Sequence, residues 1–165
     1  MKLPVFAIAL LLGTTDVLAG GPVIPDGWRL PSEKELGDEW RSGEYKNAEV
    51  IGDFNGDGLI EGAFLAVSTD GKDEGLLAFV YQGGKEKWFV LDKVPFNGTV
   101  FMGLDKYPPG KYKVLCDTDA ECARGHKKQI TLNSDSFVYY RPESASSIFV
   151  WSSAKGGFVR IWESD

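Results

Sequence analysis

The chain has 165 residues, with 24 Asp and Glu against 18 Lys and Arg, a formal net charge of −6 and two cysteines. Nucleic-acid phosphates demand basic patches, and an acidic chain with scattered Lys and Arg argues against a nucleic-acid partner. The charge suits a basic protein partner, although negative charge is also a general solubility device.

Met1-Lys2 gives a minimal positive start, Leu3 to Leu12 a short apolar run, and Gly13 to Ala19 a polar, small-residue tail. That order is the pattern of an export signal, with cleavage expected after Ala19. A membrane span needs about 20 apolar residues, and this run is about half that length. Gly20, not cysteine, follows the expected cut, so no lipid-modified N-terminus is expected. The reading is therefore residues 1–19 as signal peptide and 20–165 as a single β-rich domain, periplasmic or secreted and not membrane-spanning once cleaved.

Residues 20–31 hold several prolines and one large anchor, Trp28, and read as an extended arm. Ser32 followed three places later by Glu35 is a capping-box pattern. It predicts a helix from Ser32 to about Arg41, with Leu36 and Trp40 on one face and Gly43 as a stop. From Ala48 onward the hydrophobic period is two. The runs AEVIGD, GAFLAVST, GLLAFVYQ, KWFVLDKV, TVFMGL, KYKVLC, QITL, SFVYY, SIFVW and GFVRIW alternate with clusters of Gly, Asp, Asn and Pro. Short strands at that spacing predict a mainly β fold. The expectation is one antiparallel domain, a meander or sandwich or a propeller-blade-like unit, with one short N-terminal helix.

The stretch Asp53-Phe54-Asn55-Gly56-Asp57-Gly58-Leu59-Ile60-Glu61 carries the clearest chemistry. Oxygen donors at its first, third and fifth places can curl about one centre, with Gly58 permitting the tight turn. The Leu59 carbonyl and the Glu61 carboxylate can complete a hard-cation cage suited to Ca²⁺. A helix–loop–helix calcium hand is a poor match, because the twelfth place is Phe64 and both flanks read as strands. The alternative is an Asx-rich β-turn with no ion. DFNGDGLIEGAFL resembles the calcium loop of FG-GAP and VCBS-type repeats, DxNxDGxxD, with Glu61 standing where the last Asp is usual. That resemblance implies a Ca²⁺-binding loop between β-strands; it occurs once, so a full propeller is not implied. More diffusely, the early Trp-bearing helix, the DFNGDG loop, the PPGKYK segment and the aromatic C-terminus resemble a group of small exported bacterial proteins.

Cys116 and Cys122, six apart in an exported chain, are expected to form a disulfide closing a short loop. A metal pair is the alternative, with only His126 nearby to add a soft ligand. Asp117, Asp119 and Glu121 inside that ring read as a solvated acidic loop, and His126 as a surface residue. Asn97-Gly98-Thr99 is formally a glycosylation sequon and reads equally as a hairpin turn. No GxSxG elbow is present, and no acid pair is singled out by spacing as a glycosidase couple.

The functional expectation is a calcium-stabilised exported binding protein whose partner is another envelope or secreted protein. An inhibitor or immunity protein against a cell-wall-degrading enzyme is its concrete form. The alternatives are an envelope hydrolase using two carboxylates and a structural envelope protein. Native protein alkylated without reductant is expected to show Cys116 and Cys122 bonded to each other; two alkylated thiols would refute the pairing.

Overall fold

A computed structural model describes residues 22–43, 45, 47–115 and 127–164. The segment expected as a signal peptide, Cys116, Cys122, the acids between them and His126 lie outside the described residues. Alternating apolar residues resolve into β1 (Trp28–Arg29), β2 (Glu49–Gly52), β3 (Glu61–Ser68), β4 (Asp73–Gln82), β5 (Lys85–Pro95) and β6 (Gly103–Tyr107). They continue through β7 (Gly110–Leu115), β8 (Lys127–Leu132), β9 (Ser136–Tyr140), β10 (Ser146–Ser152) and β11 (Gly157–Ser164). The fold is mainly β, and every strand pairing among the described residues is antiparallel.

One sheet runs β1-β3-β4-β5, with β2 sharing the edge of β3 that β1 occupies further along. Ser68 and Asp70 close the β3–β4 turn, the Ser68 hydroxyl accepting from the amides of Lys72 (3.1 Å) and Asp73 (2.9 Å). Gly83-Gly84 closes the β4–β5 hairpin in two residues, the length that fits the strands' twist. Leu91 is the extra residue of a bulge in β5, because Leu76 faces Asp92 while Leu77 faces Val90. A second sheet runs β11-β10-β9-β6, and β7–β8 form a separate hairpin.

Two apolar clusters hold these layers together. In the first, Ala63, Leu65 and Val67 of β3 and Leu76 and Ala78 of β4 meet Leu104, Phe137, Tyr139 and Phe149 of the second sheet. In the second, Val114 and Leu132 of the hairpin cover Ile148, with Val150 and Ile161 beside it. All eight residues of β3 are buried, and between Glu61 and Ser68 at its ends the stretch 62–67 is a continuous apolar run without polar alternation.

The expected Ser32–Arg41 helix does not form as one piece. The capping contacts exist: the Ser32 amide and hydroxyl both donate to Glu35 Oε2 at 2.8 Å. Residues 33–36 close only a turn, and Gly37 takes φ 64°, a left-handed value that interrupts helical geometry. A six-residue helix, α1, follows at Gly37–Ser42. The Arg29 guanidinium forks onto the Glu35 carboxyl at 2.8 and 2.7 Å and holds it down at about 2. The expected strand at Thr99–Leu104 is also displaced, since β6 starts only at Gly103. Val100 is instead drawn off the sheet, its amide donating to the Glu35 carbonyl (2.7 Å) and its carbonyl accepting from Trp40 Nε1 (3.2 Å).

Glu74 is the unusual member of β4. It lies at the core side of the sheet, fully buried, with Oε1 lacking a partner among the described residues and Oε2 reached by the Phe101 amide at 3.4 Å. Burial, with the Asp92 charge adding to it, pushes the carboxyl up from 4.5 to about 7, opposed by the amides of Phe101 and Met102. Because the folded state holds this proton more tightly than the unfolded chain, the contribution is complete below pH 4.5 and lost as pH rises through about 7. The full difference is on the order of 3 kcal/mol. Glu74→Gln is therefore expected to raise the melting temperature at pH 8 and to leave it nearly unchanged at pH 4.5; a parallel shift at both values would contradict this.

Candidate metal centre

The sequence makes the 53–61 loop by placing short oxygen-bearing side chains where backbone amides need acceptors. Asp53 Oδ1 accepts from the amides of Gly56 (2.8 Å) and Asp57 (3.0 Å), and its Oδ2 from Gly58 (3.0 Å). Asn55 Oδ1 takes the Asp57 amide and Asp57 Oδ1 the Leu59 amide, both at 2.8 Å. These are successive Asx turns, and Gly58 at φ 86° supplies a left-handed step that other residues rarely adopt.

Glu61 opens β3 at the loop's far end and is fully buried. Its Oε2 accepts from the amides of Phe54 (3.0 Å) and Asn55 (3.1 Å), and its Oε1 from the Tyr81 amide (2.9 Å). The Asn55 side-chain amide donates to Glu61 Oε1 (2.6 Å), Asp57 Oδ2 (3.0 Å) and the Tyr81 carbonyl (3.0 Å). One NH₂ has two hydrogens, and here it faces three oxygens. Burial is the main effect raising the proton affinity of Glu61, and the Asp57 charge adds to it; the three backbone amides oppose both.

Of the residues expected as ligands, Asn55, Asp57 and Glu61 are brought together through that amide. Asp53 is turned to cap the loop's own amides, and Leu59 is exposed on the outside of the turn. Among the described residues no three His, Cys, Asp or Glu side chains gather as a group that could hold a metal ion. The Asp57 and Glu61 carboxylates and the Tyr81 carbonyl thus converge on the Asn55 NH₂, an N–H donor that stands where a cation would have to sit.

Sequence reasoning did not find the residues that fasten this loop. Phe54 is fully buried and packs edge-on against Phe137 at 5.1 Å and Phe158 at 6.1 Å. The turn before β9 clamps the other side: Ser134 Oγ donates to the Phe54 carbonyl (2.8 Å) and the Asp135 amide to the Asp53 carbonyl (3.1 Å). Asp135 also accepts from the Asp53 amide (3.2 Å) and pairs with Lys106 at 2.6 Å. The one available signal was an aromatic set between two oxygen-bearing residues, Asp53 and Asn55.

A cavity of about 350 Å³ lies by β6, β9 and β11, where Glu163 accepts from Tyr107 Oη (2.9 Å) and Ser146 Oγ (3.1 Å). Both carboxylate oxygens there are bound to protein donors.

In chelator, Glu61→Ala is expected to cost on the order of 3–5 kcal/mol in urea denaturation, because it strands three amides, one of them on the buried Phe54. Asp57→Ala, at an exposed position, is expected to cost under about 1 kcal/mol; equal losses would contradict the assigned role of Glu61. Comparison with protein-family models, with curated proteins and with solved structures gives no match.

Proposed function

We propose that this chain is an exported binding protein, stabilised by Ca²⁺ at the 53–61 loop, whose partner is another envelope or secreted protein. Its concrete form is an inhibitor or immunity protein against a cell-wall-degrading enzyme. The observation that carries the calcium reading is the fully buried Glu61 carboxylate, joined to Asp57 through the Asn55 amide. A buried carboxylate with an acidic neighbour is stabilised by a nearby cation. Asp53, Asn55, Asp57 and Glu61, with the Leu59 carbonyl, are the oxygens that would turn to it, Asn55 exchanging its NH₂ for Oδ1 and Asp53 releasing the loop amides it now caps. The ion supplies positive charge at the junction where Phe54 enters the core; no reacting group is implied. The non-catalytic reading is supported by where the two carboxyls of raised proton affinity lie. Glu61 has both oxygens held by amides and Glu74 is enclosed in the core, whereas a two-carboxylate hydrolase needs its raised acid free at an open cleft.

Calcium that binds the folded loop but not the unfolded chain stabilises by RT ln(1 + [L]/Kd), about 2.7 kcal/mol at a hundredfold excess over Kd. For a domain of this size the melting temperature of chelator-stripped protein is expected to rise on the order of 5–10 °C. Asp57→Ala is expected to abolish most of that rise, Asp119→Ala to leave it, and Mg²⁺ to act less. No rise with millimolar Ca²⁺ refutes the calcium reading. For the binding role, envelope extract passed over immobilised protein in Ca²⁺ is expected to yield a retained protein that chelator releases.

A further inference from the structure

The outward side of the β1–β5 sheet carries a row of residues in register across four strands: Ile51, Gly62, Phe79 and Trp88. The rings of Phe64 and Phe79 close over Gly62, where an added Cβ would lie 2.6 Å from Phe64 and 2.9 Å from Phe79. Phe79 meets Trp88 at 5.0 Å and Tyr81 edge-on at 5.7 Å. This aromatic floor opens into a groove of about 220 Å³ whose lining includes Glu49, Ile51, Ile60, Tyr81 and Glu86, with the amide-bound Glu61 at its base. Ile51 is 55% exposed and Ile60 61%, so two large aliphatic side chains stand in water at its mouth. The volume falls below the roughly 300–1,000 Å³ of pockets that enclose small-molecule ligands and suits a single inserted side chain.

Charge narrows the occupant. Five acids elsewhere among the described residues are met by bases: Glu35 by Arg29, Asp70 by Lys72, Asp73 by Lys93, Asp135 by Lys106 and Asp92 by Arg160. Glu49 and Glu86 are exposed at the groove, and among the described residues neither has a basic partner. Glu86 accepts only a 3.5 Å contact from Tyr81 Oη. An apolar, aromatic floor beneath two uncompensated carboxylates matches a side chain with an aliphatic stem and a planar cationic head.

We propose that this groove is the contact surface for the partner, and that it receives an arginine side chain projecting from that protein. The stem lies against Ile51 and Ile60, the guanidinium stacks on the half-buried Tyr81 ring, and Glu49 and Glu86 accept its hydrogen bonds. The inference rests on the binding-protein reading and assigns that reading its surface.

The test is an amide chemical-shift titration of the exported protein with the blocked peptide Ac-Ala-Leu-Arg-Leu-Ala-NH₂ and its counterpart carrying citrulline for arginine. Shifts are expected at Glu49–Ile51, Gly62, Phe79–Tyr81 and Glu86, with at least tenfold weaker binding by the citrulline peptide. Glu49→Gln/Glu86→Gln is expected to weaken the arginine peptide equally while melting at the wild-type temperature, since both side chains are exposed. Ile51→Ser, keeping both acids, is expected to weaken both peptides. The proposal is overturned by shifts centred on other acids, by equal binding of the two peptides, or by full affinity in the double variant. Retention of an envelope protein by wild type decides the parent reading separately, so a partner held undiminished by the double variant leaves that reading standing and removes this one.

Discussion

A carboxylate cut off from solvent fixes the geometry of the loop and of the sheet it enters. Glu61 gathers amides from Phe54, Asn55 and Tyr81, and so ties the start of the loop, the start of β3 and the end of β4 to one side chain. Neutral groups could not receive so many N–H donors at one point; an ionised acid can, at the cost of burying its charge. Everything downstream depends on that knot. It sets where β3 begins, and β3 is the strand that both β1 and β2 lean on from one side and β4 from the other.

The strand pattern was legible because period-two alternation and Gly, Asp and Asn turns are local signals. GAFLAVST and GLLAFVYQ become β3 and β4 with almost the same limits. The N-terminal helix was misjudged for a tertiary reason. Ser32 and Glu35 do make their capping contacts, yet Glu35 is claimed at the same time by Arg29 and its carbonyl by Val100, and Gly37 turns the chain away. Val100 fails as a strand residue through the same contact. The loop's polar residues were legible from their spacing, whereas the fastening by Phe54, Ser134 and Asp135 joins segments some 80 residues apart in sequence. No local pattern encodes that distance.

The acids of this chain divide by what meets them. Some are neutralised by Lys or Arg, as Asp92 is by Arg160, whose guanidinium also lies 4.2 Å from the Trp162 ring. Others, Glu61 and Glu74, are enclosed and answered by amides instead of bases. A last group, with Glu49 and Glu86, faces water beside apolar side chains. Among the described residues, equal formal charges therefore stand in quite different surroundings. Glu49 and Glu86 act on a second molecule only at close range, since salt screens exposed charges beyond about 8–10 Å.

The outermost strand of the first sheet, β5, leaves a line of peptide groups along one side with no strand beside it among the described residues. Such a border invites another copy to add its own strand, and eleven residues is long for one. Lys85, Lys87 and Lys93 are spaced along it, Pro95 ends it, and the bulge at Leu91 breaks its straight run midway. A second β5 laid antiparallel against the first would bring lysines toward lysines and find its hydrogen-bonding rhythm interrupted. Sheet growth from molecule to molecule is thereby discouraged, and the chain can keep apolar side chains such as Val90 in water on that strand without seeding fibres.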